Sequence, residues 1–248
     1  MVSSEEVEAL QAIKRKQMSE TFRLGAVLAL AGGFLDAYSY CVRGGIFANA
    51  ETGNMVLLGI HAMRGEWHTA LTYLVPVAAF AAGIIVAECI RARFRDASGI
   101  HWRQLSVLAE LCILLAVAFL PQSLNMAANV SVSFVCAVQV ESFRKVHGNA
   151  FATTMCTGNL RSGTERLYQF LRSGDPEQRW QAGQYYGIIL CFILGAALGA
   201  WVSSLLAERA VLIACMLLLA AFLMMFWDME APAPERRTGP GRKQGKEK

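Results

Sequence analysis

The sequence predicts an all-α integral membrane protein with six transmembrane helices, arranged as two inverted-topology three-helix repeats. Three observations lead to this fold class: an apolar composition, six long apolar segments and an internal repeat. Of the 248 residues, 55% are hydrophobic and 17% are charged, whereas a soluble domain carries about 25% charged residues. This composition excludes a disordered chain, a coiled coil and a disulfide-rich secreted module.

Each of the six apolar segments approaches the ~20 residues that a helix needs to cross about 30 Å of hydrocarbon. They are apolar continuously rather than in alternation, which predicts helices instead of barrel strands. The third segment is short and ends at Pro121, so it needs flanking residues to complete a crossing. The segments are Leu24–Val42, Ala70–Ile90, Leu105–Leu120, Met126–Phe143, Tyr185–Leu206 and Ala210–Trp227.

These segments divide the chain into four parts. Residues 1–23 form a polar N-terminal segment without a cleavable signal, residues 24–120 the first repeat unit, and residues 121–227 the second. Residues 228–248 form a basic tail that we expect to be disordered. The seven cysteines include no CxxC pair, so we interpret them as small apolar packing residues.

The basic residues predict the orientation. With the N-terminus inside, 20 of the 23 Lys and Arg residues lie on the cytoplasmic side, and only Arg43, Arg64 and Arg209 lie outside. Cytoplasmic loops are enriched in Lys and Arg, so we expect a multi-pass protein of the cytoplasmic (inner) membrane with both termini cytoplasmic. The basic tail lacks aromatic residues, and no nucleic-acid partner is expected.

An internal repeat relates the two halves. Thr52-Gly53-Asn54 recurs as Thr157-Gly158-Asn159, and at the same offset of 105 residues Asp36 falls on Glu141. We call these triplets the first and second TGN elements. Because each unit contains three spans, the second unit runs in the opposite direction, as in many secondary transporters whose sites lie at the repeat interface. The alternative is a duplicated bundle without transport function.

Two stretches of sequence resemble a known family. The first runs from Gly32-Gly33-Phe34-Leu35-Asp36-Ala37 through Phe47 to the first TGN element and Met55–Gly59. The second runs from Ala137-Val138-Gln139-Val140-Glu141 through Phe151 to the second TGN element and Gly163. Together they resemble the YoaK-like family of bacterial membrane proteins (DUF1275) over roughly Phe22 to Trp227. The resemblance implies the fold and the location, but no catalytic or binding residues.

Four acidic residues lie inside the apolar segments: Asp36, Glu88, Glu110 and Glu141. A charge at mid-bilayer costs about 2.5–3.5 kcal/mol, so such residues are candidates for function. Glu88 is close enough to Arg91 to pair with it. Glu110 is a candidate that could instead pair with Arg103 or with another helix. Asp36 and Glu141, as repeat mates, are the leading candidates for binding a substrate or a coupling ion.

The TGN elements add further candidates. Gly44 to Asn54 is expected to be irregular, and the short apolar run Met55–Met63 behind it suggests a re-entrant half-helix capped by Thr52 or Asn54. The second element, with Thr157 and Asn159, leads into a more polar helix that could lie at the cytoplasmic interface. Simple capped turns are the alternative for both.

Small residues at every fourth position indicate close helix packing. The longer ladder lies in the fifth segment and includes Gly187, Gly195 and Gly199. Gly83 lies in a shorter ladder in the second segment. Because the two ladders are repeat mates, they could meet at the pseudo-two-fold axis. A homodimer contact is the alternative use.

No enzyme signature is present. The four histidines are dispersed, and His61 and His68 with Glu66 make only a weak metal motif, so we expect no metal, no cofactor and no catalysis. The sequence therefore predicts a small-solute transporter or permease whose partners are the lipid bilayer and an unidentified solute. A non-transporting scaffold or sensor, binding a cytoplasmic partner or anionic lipid, is the alternative.

Overall fold

A computed structural model describes residues 22–94, 102–143, 145–146, 149–150 and 156–227. Residues 1–21 of the predicted N-terminal segment and the basic tail lie outside these residues, while Phe22 and Arg23 begin the first helix. Apart from a two-residue antiparallel ladder between Lys145–Val146 and Asn149–Ala150, the regular structure described is helical. The α-helices are α1 (Phe22–Val42), α2 (Glu51–Met63), α3 (Trp67–Phe94), α4 (Trp102–Val117), α5 (Asn125–Ser142), α6 (Cys156–Ser173), α7 (Pro176–Leu206) and α8 (Val211–Trp227).

Four helical stretches are long and apolar enough to cross a membrane: Phe22–Val42, Trp67–Phe94, Gln122–Ser142 and Pro176–Met225. The last contains two helices, α7 and α8, which are separated at Ala207, where φ is 47°. The 16 residues of α4 begin before the predicted third segment and stop short of its end. The chain is therefore a helical membrane protein.

The helices pack in a repeated pattern of pairs. α1 packs most extensively against α7, and α3 packs against α5. The shorter helices α2 and α6 lie against α3 and α7. α4 contacts α5 and α8, and α8 also contacts α1. The largest apolar core therefore lies among α1, α4, α5 and α8, while the outer sides of α3 and α7 expose apolar residues such as Ile85 and Leu190.

Glycine allows the two main helix pairs to approach closely. A Cβ atom at Gly195 of α7 would overlap the Leu30 carbonyl oxygen of α1, and one at Gly199 would lie 2.6 Å from the Phe34 oxygen. Gly83 of α3 is in the same situation, 2.6 Å from the Phe134 oxygen of α5. The two ladders thus face different partner helices within the chain rather than each other. At Gly187 a Cβ would meet only a side chain, the ring of Phe22 at 2.9 Å.

Arg43 follows α1 and is fully buried. Its guanidinium donates to the carbonyl oxygen of Val117, the last residue of α4, at 3.1 Å and to that of Leu120 at 2.9 Å. It also donates to Asn125 Oδ1 at 3.1 Å. Its Nε donates to the Tyr38 hydroxyl at 2.8 Å. A cation at the C-terminal end of a helix interacts favourably with the helix dipole. Arg43 therefore joins the end of α1 to the end of α4 and the start of α5.

We expect Gly195→Leu to lower the melting temperature in detergent, because a side chain there must displace the backbone of α1. Overpacking a close contact costs about 1–3 kcal/mol and sometimes more. Gly183→Leu is the matched control, since a Cβ at Gly183 meets nothing within 4 Å. Equal melting temperatures for the two variants would show that the α1–α7 contact does not depend on glycine.

We expect Arg43→Met to destabilise the protein strongly. A buried carbonyl left without a donor costs about 1–3 kcal/mol, and the variant removes the Arg43 donor from the Leu120 carbonyl and from Asn125 Oδ1, while the Val117 carbonyl keeps only the Leu120 amide. Arg64→Met, at an exposed position, is the control. Denaturation in detergent, followed by circular dichroism, measures the difference. A stability loss for Arg43→Met no larger than for the control would contradict the assigned role.

Candidate functional site

The chain reverses direction after α1. Gly44 and Gly45 both have positive φ values, 93° and 77°, which glycine adopts without steric cost. The Gly45 amide donates to the Tyr40 carbonyl at 3.1 Å, a bond typical of a helix that ends in a left-handed glycine. The residues that follow, Ile46, Ala48 and Asn49, are all buried. The chain therefore turns back into the bundle instead of continuing along its surface.

Asp36 holds the returning chain. Its Oδ1 accepts hydrogen bonds from the backbone amides of Ala48 and Asn49 at 2.9 and 2.6 Å. The Asn49 side chain donates to the Gly32 carbonyl at 3.1 Å. Asp36 precedes the end of α1 by six residues, which corresponds to about 9 Å of helix. The start of α2 is thus set back inside the bundle, beside the middle of α1.

The first TGN element has a different role for each residue. The Asn54 amide forms two bonds with the backbone of Phe47, accepting from its N–H at 3.1 Å and donating to its carbonyl at 2.8 Å. A Cβ at Gly53 would lie 3.2 Å from the Phe47 ring. Thr52 is exposed. The expectation that Thr52 or Asn54 caps α2 is wrong: Ala50 is the N-cap, without a side-chain bond.

Three buried acidic side chains lie within electrostatic range of one residue of α5. Cys136, on α5, is close enough to Asp36, Glu51 and Glu110 for their charges to act on it. All four residues are at least nine-tenths buried, with exposed fractions of 6% for Asp36, 8% for Glu51, and 1% each for Glu110 and Cys136. We call Asp36, Glu51, Glu110 and Cys136 the acidic cluster. It brings α1, α2, α4 and α5 to one place.

Several oxygen atoms around the cluster make no hydrogen bond. Both carboxylate oxygens of Glu110 are buried without a partner, as are Glu51 Oε1, Asn49 Oδ1 and Ser133 Oγ. The other oxygen of Glu51, Oε2, accepts from Asn54 Nδ2 at 2.9 Å. Buried polar groups are nearly always hydrogen-bonded in native proteins, and an exception requires an explanation. These atoms are unsatisfied polar groups inside the apolar bundle.

The carboxyl of Glu51 lies outside the four candidate spans. Burial raises its pKa to about 7, against the lowering effects of the Asn54 hydrogen bond and of the nearby Ser133 hydroxyl. A carboxyl removed from water favours its neutral form. Glu51 is therefore poised to gain or lose a proton near neutral pH.

The second TGN element begins α6. Thr157 is exposed and Asn159 is buried, matching Thr52 and Asn54. Cys156, the first residue of α6, lies within electrostatic range of Asp36. Residues 151–155 before it lie outside the described residues. Exposed apolar side chains line the outer face of α6, among them Leu160, Leu167 and Leu171.

The other predicted acids have different surroundings. Glu88 pairs with Arg91 at 2.9 Å, as its spacing suggested. Arg103 donates to the Ser142 carbonyl at 2.8 Å and does not bond to Glu110, so that suggested pair does not form. Glu141 is buried near the end of α5.

The three residues of the weak metal motif, His61, Glu66 and His68, do not form one site. His61 Nδ1 contacts Glu66 Oε2, and the His61 ring stacks on Tyr73. His68 is exposed on α3. Within the described residues, no group of three or more His, Cys, Asp or Glu side chains is arranged to hold a metal ion. The acidic cluster is likewise not arranged to hold a metal ion.

Comparison with known proteins identifies the family. The family model described as "Protein of unknown function (DUF1275)" matches residues 24–224. The chain belongs to the DUF1275 family. The search of curated proteins matched nothing, and neither did the search of solved structures. The matched range begins in α1 and ends in α8, so the DUF1275 region includes every helix that contributes to the acidic cluster.

Sequence reasoning did not single out three residues of the site. Glu51 directly precedes the first TGN element but lies outside the apolar segments that contain the other candidate acids. Asn49 and Ser133 are neutral and common in loops and helices. A signal was available for Glu51, because a carboxylate at the start of a half-helix occupies the place where the helix dipole favours negative charge.

We expect Asp36→Asn to keep the fold of the DUF1275 region, because an amide oxygen can still accept from Ala48 and Asn49. Asp36→Ala should lose about 1–3 kcal/mol for each buried amide left unpaired. Limited proteolysis at the 44–50 loop and the detergent melting temperature measure both variants. If Asn is as disruptive as Ala, the negative charge rather than the hydrogen-bond acceptor holds the loop.

Proposed function

We propose that this DUF1275 protein is an inner-membrane transporter or permease for a small solute, with six spans in two inverted three-helix units. The observation that carries the proposal is the acidic cluster beside the non-helical chain at residues 43–50. Non-helical backbone at membrane depth is tolerated where it is buried in protein or lines a cavity, and transporters commonly place their sites at such breaks.

The helix pairings support the inverted repeat. If α1, α2, α3 and α4 correspond to α5, α6, α7 and α8, the main contacts between helices have counterparts. The α1–α7 pair corresponds to α5–α3, the α2–α3 pair to α6–α7, and the α1–α8 pair to α5–α4. The α4–α8 pair corresponds to itself and would lie on the pseudo-two-fold axis. The glycine contacts follow the same rule, since Gly83 and Gly195 each meet the first helix of the other unit.

The position of the acidic cluster also supports transport. Its residues come from α1, α2, α4 and α5, so both proposed units contribute to it. Ionisable residues within membrane-spanning helices are rare and typically mark ion or substrate pathways. The start of α6 is also close to Asp36. Two half-helices would thus begin near one acidic centre, and their positive dipole ends offset part of its charge.

α6 provides the observation that favours a scaffold or sensor instead. Its outer face combines apolar residues such as Leu160 and Leu171 with exposed Arg161 and Arg172. Such a helix can lie in the headgroup region and bind anionic lipid. A protein of this kind needs no solute pathway, so the two functions differ in whether water reaches the acidic cluster.

We expect cysteine labelling to reveal six crossings with both termini inside. In a variant without native cysteines, new cysteines at the N-terminus, near Asp96, near Asp175 and in the tail should be protected from an external membrane-impermeant reagent. New cysteines near Gly65 and near Gln122 should react. Labelling near Asp96 from outside would contradict the inverted repeat.

We expect proteoliposomes containing the full chain to take up at least one solute from a panel of amino acids, sugars, organic acids and inorganic ions. Uptake is measured with and without a proton gradient and compared with empty liposomes. Arg43→Met proteoliposomes, in which the bundle is disturbed, are the inactive control. Equal uptake by protein-containing and empty liposomes for every solute would reject transport.

A further inference from the structure

We propose that the coupling ion of this protein is the proton and that the Glu51 carboxyl is the group that carries it. This inference rests on the proposed function and makes it specific, because it selects one residue and one ion. It differs from the sequence-based expectation, in which Asp36 and Glu141 were the leading coupling residues.

The geometry separates Glu51 from Asp36. Asp36 Oδ1 is committed to two backbone amides, at 2.9 and 2.6 Å. A change in its protonation would therefore change the strength of the two hydrogen bonds that hold the loop, because a carboxylate accepts more strongly than a neutral carboxyl. Glu51 has one oxygen bonded to Asn54 and a second oxygen, Oε1, that makes no hydrogen bond. A proton can therefore bind Oε1 and leave it without breaking a contact in the fold.

Glu110 is the other carboxyl with unbonded oxygens. It is 1% exposed, against 8% for Glu51, and it lies within α4 rather than at the start of a helix. A coupling group must reach water in at least one state of the transport cycle. Glu51 borders the returning loop, whereas Glu110 is enclosed by the core residues Val107 and Leu114 on its own helix. We therefore assign the exchange to Glu51.

The charge of the surroundings favours a proton over a metal cation. No group of three or more carboxylate, thiol or imidazole side chains in the described chain is arranged for a metal ion. The acidic side chains of the cluster form no ion pair within the described residues. A carboxylate without a cationic partner in a low-dielectric site is neutralised most readily by protonation.

The titratable groups around Glu51 come from each neighbouring element. α1 supplies Asp36, which acts on Glu51, and α5 supplies Cys136. Glu110 of α4 and Cys156 of α6 complete the set near the cluster. From α3, which packs along α2, Tyr73 stacks on His61 near the opposite end of α2. Burial, and after it the charge of Asp36, disfavour the ionised form of Glu51, so its protonated state persists to higher pH.

The exchange itself is a simple proton transfer. The Glu51 carboxyl releases its proton to water on one side of the membrane and becomes a carboxylate. It later takes a proton from water on the other side. No electron is transferred and no covalent bond other than O–H is made or broken.

Infrared difference spectroscopy of the full chain in liposomes tests this assignment. We expect a protonated-carboxyl band that disappears as the pH rises, with a midpoint at about 7. Glu51→Gln should remove this band. Glu88→Gln, at the exposed pair with Arg91, and Glu110→Gln, within the cluster, are matched controls that should keep it.

The inference is overturned if the wild type has no such band, if the band survives in Glu51→Gln, or if it is lost in Glu110→Gln instead. It is also overturned if adding NaCl, KCl or MgCl₂ at fixed pH and ionic strength displaces the proton. If Glu51→Gln does not assemble, the midpoint of the carboxyl band in Ser133→Ala tests the assignment instead. Ser133 lowers the pKa of Glu51, so Ser133→Ala should move the midpoint to higher pH, and an unchanged midpoint contradicts the assignment.

Uptake measured on the same proteoliposomes separates this inference from the proposed function. If a solute moves, a pH gradient should drive its uptake by the wild type but not by Glu51→Gln, which should retain exchange without net accumulation. If the band behaves as expected while no solute moves, transport is rejected and the proton site remains. Accumulation by Glu51→Gln at the wild-type rate rejects the coupling role.

Discussion

The structure of this protein depends on satisfying the peptide groups of residues 43–50 inside an apolar bundle. Lipid offers no hydrogen bonds, so non-helical backbone is possible only where side chains supply them. Asp36 binds the amides of Ala48 and Asn49, and Asn54 binds both backbone groups of Phe47. The Asn129 amide donates to the Arg43 carbonyl at 2.8 Å. Three helices thus provide the partners, and the loop fixes where those helices lie relative to one another.

The same constraint explains the use of glycine in the two main helix pairs. Association in a bilayer gains little from the hydrophobic effect and depends on close packing. Gly33 and Gly195 lie where α1 and α7 approach too closely for a Cβ on either side. Gly83 lies at an equally close approach between α3 and α5. Because each pair joins a helix of the first half to a helix of the second, the halves interlock rather than form two separate bundles.

The sequence predicted the helical membrane fold and the family, because both depend on local signals. Continuous apolar segments specify helices, and the TGN elements carry the resemblance. Asp36 and Asn54 were also found, since an acid or amide in an apolar segment is visible without the fold. The Glu110 surroundings could not be predicted, because its neighbour Cys136 lies on another helix and is distant in sequence. The choice of Arg103 as its partner followed sequence proximity, whereas Arg103 turns towards Ser142 on another helix.

The balance of charge inside the bundle separates the roles of its polar residues. Arg43, the buried cation, is saturated by carbonyl oxygens, Asn125 and Tyr38. It is therefore committed to structure and cannot also neutralise the acidic cluster. Asp36 is committed in the same way, through backbone amides. Glu51 and Glu110 retain unbonded oxygens, and of the two only Glu51 lies at the junction of loop and half-helix. A group that must change its charge during a cycle has to be one whose bonds the fold does not require, and Glu51 meets that condition.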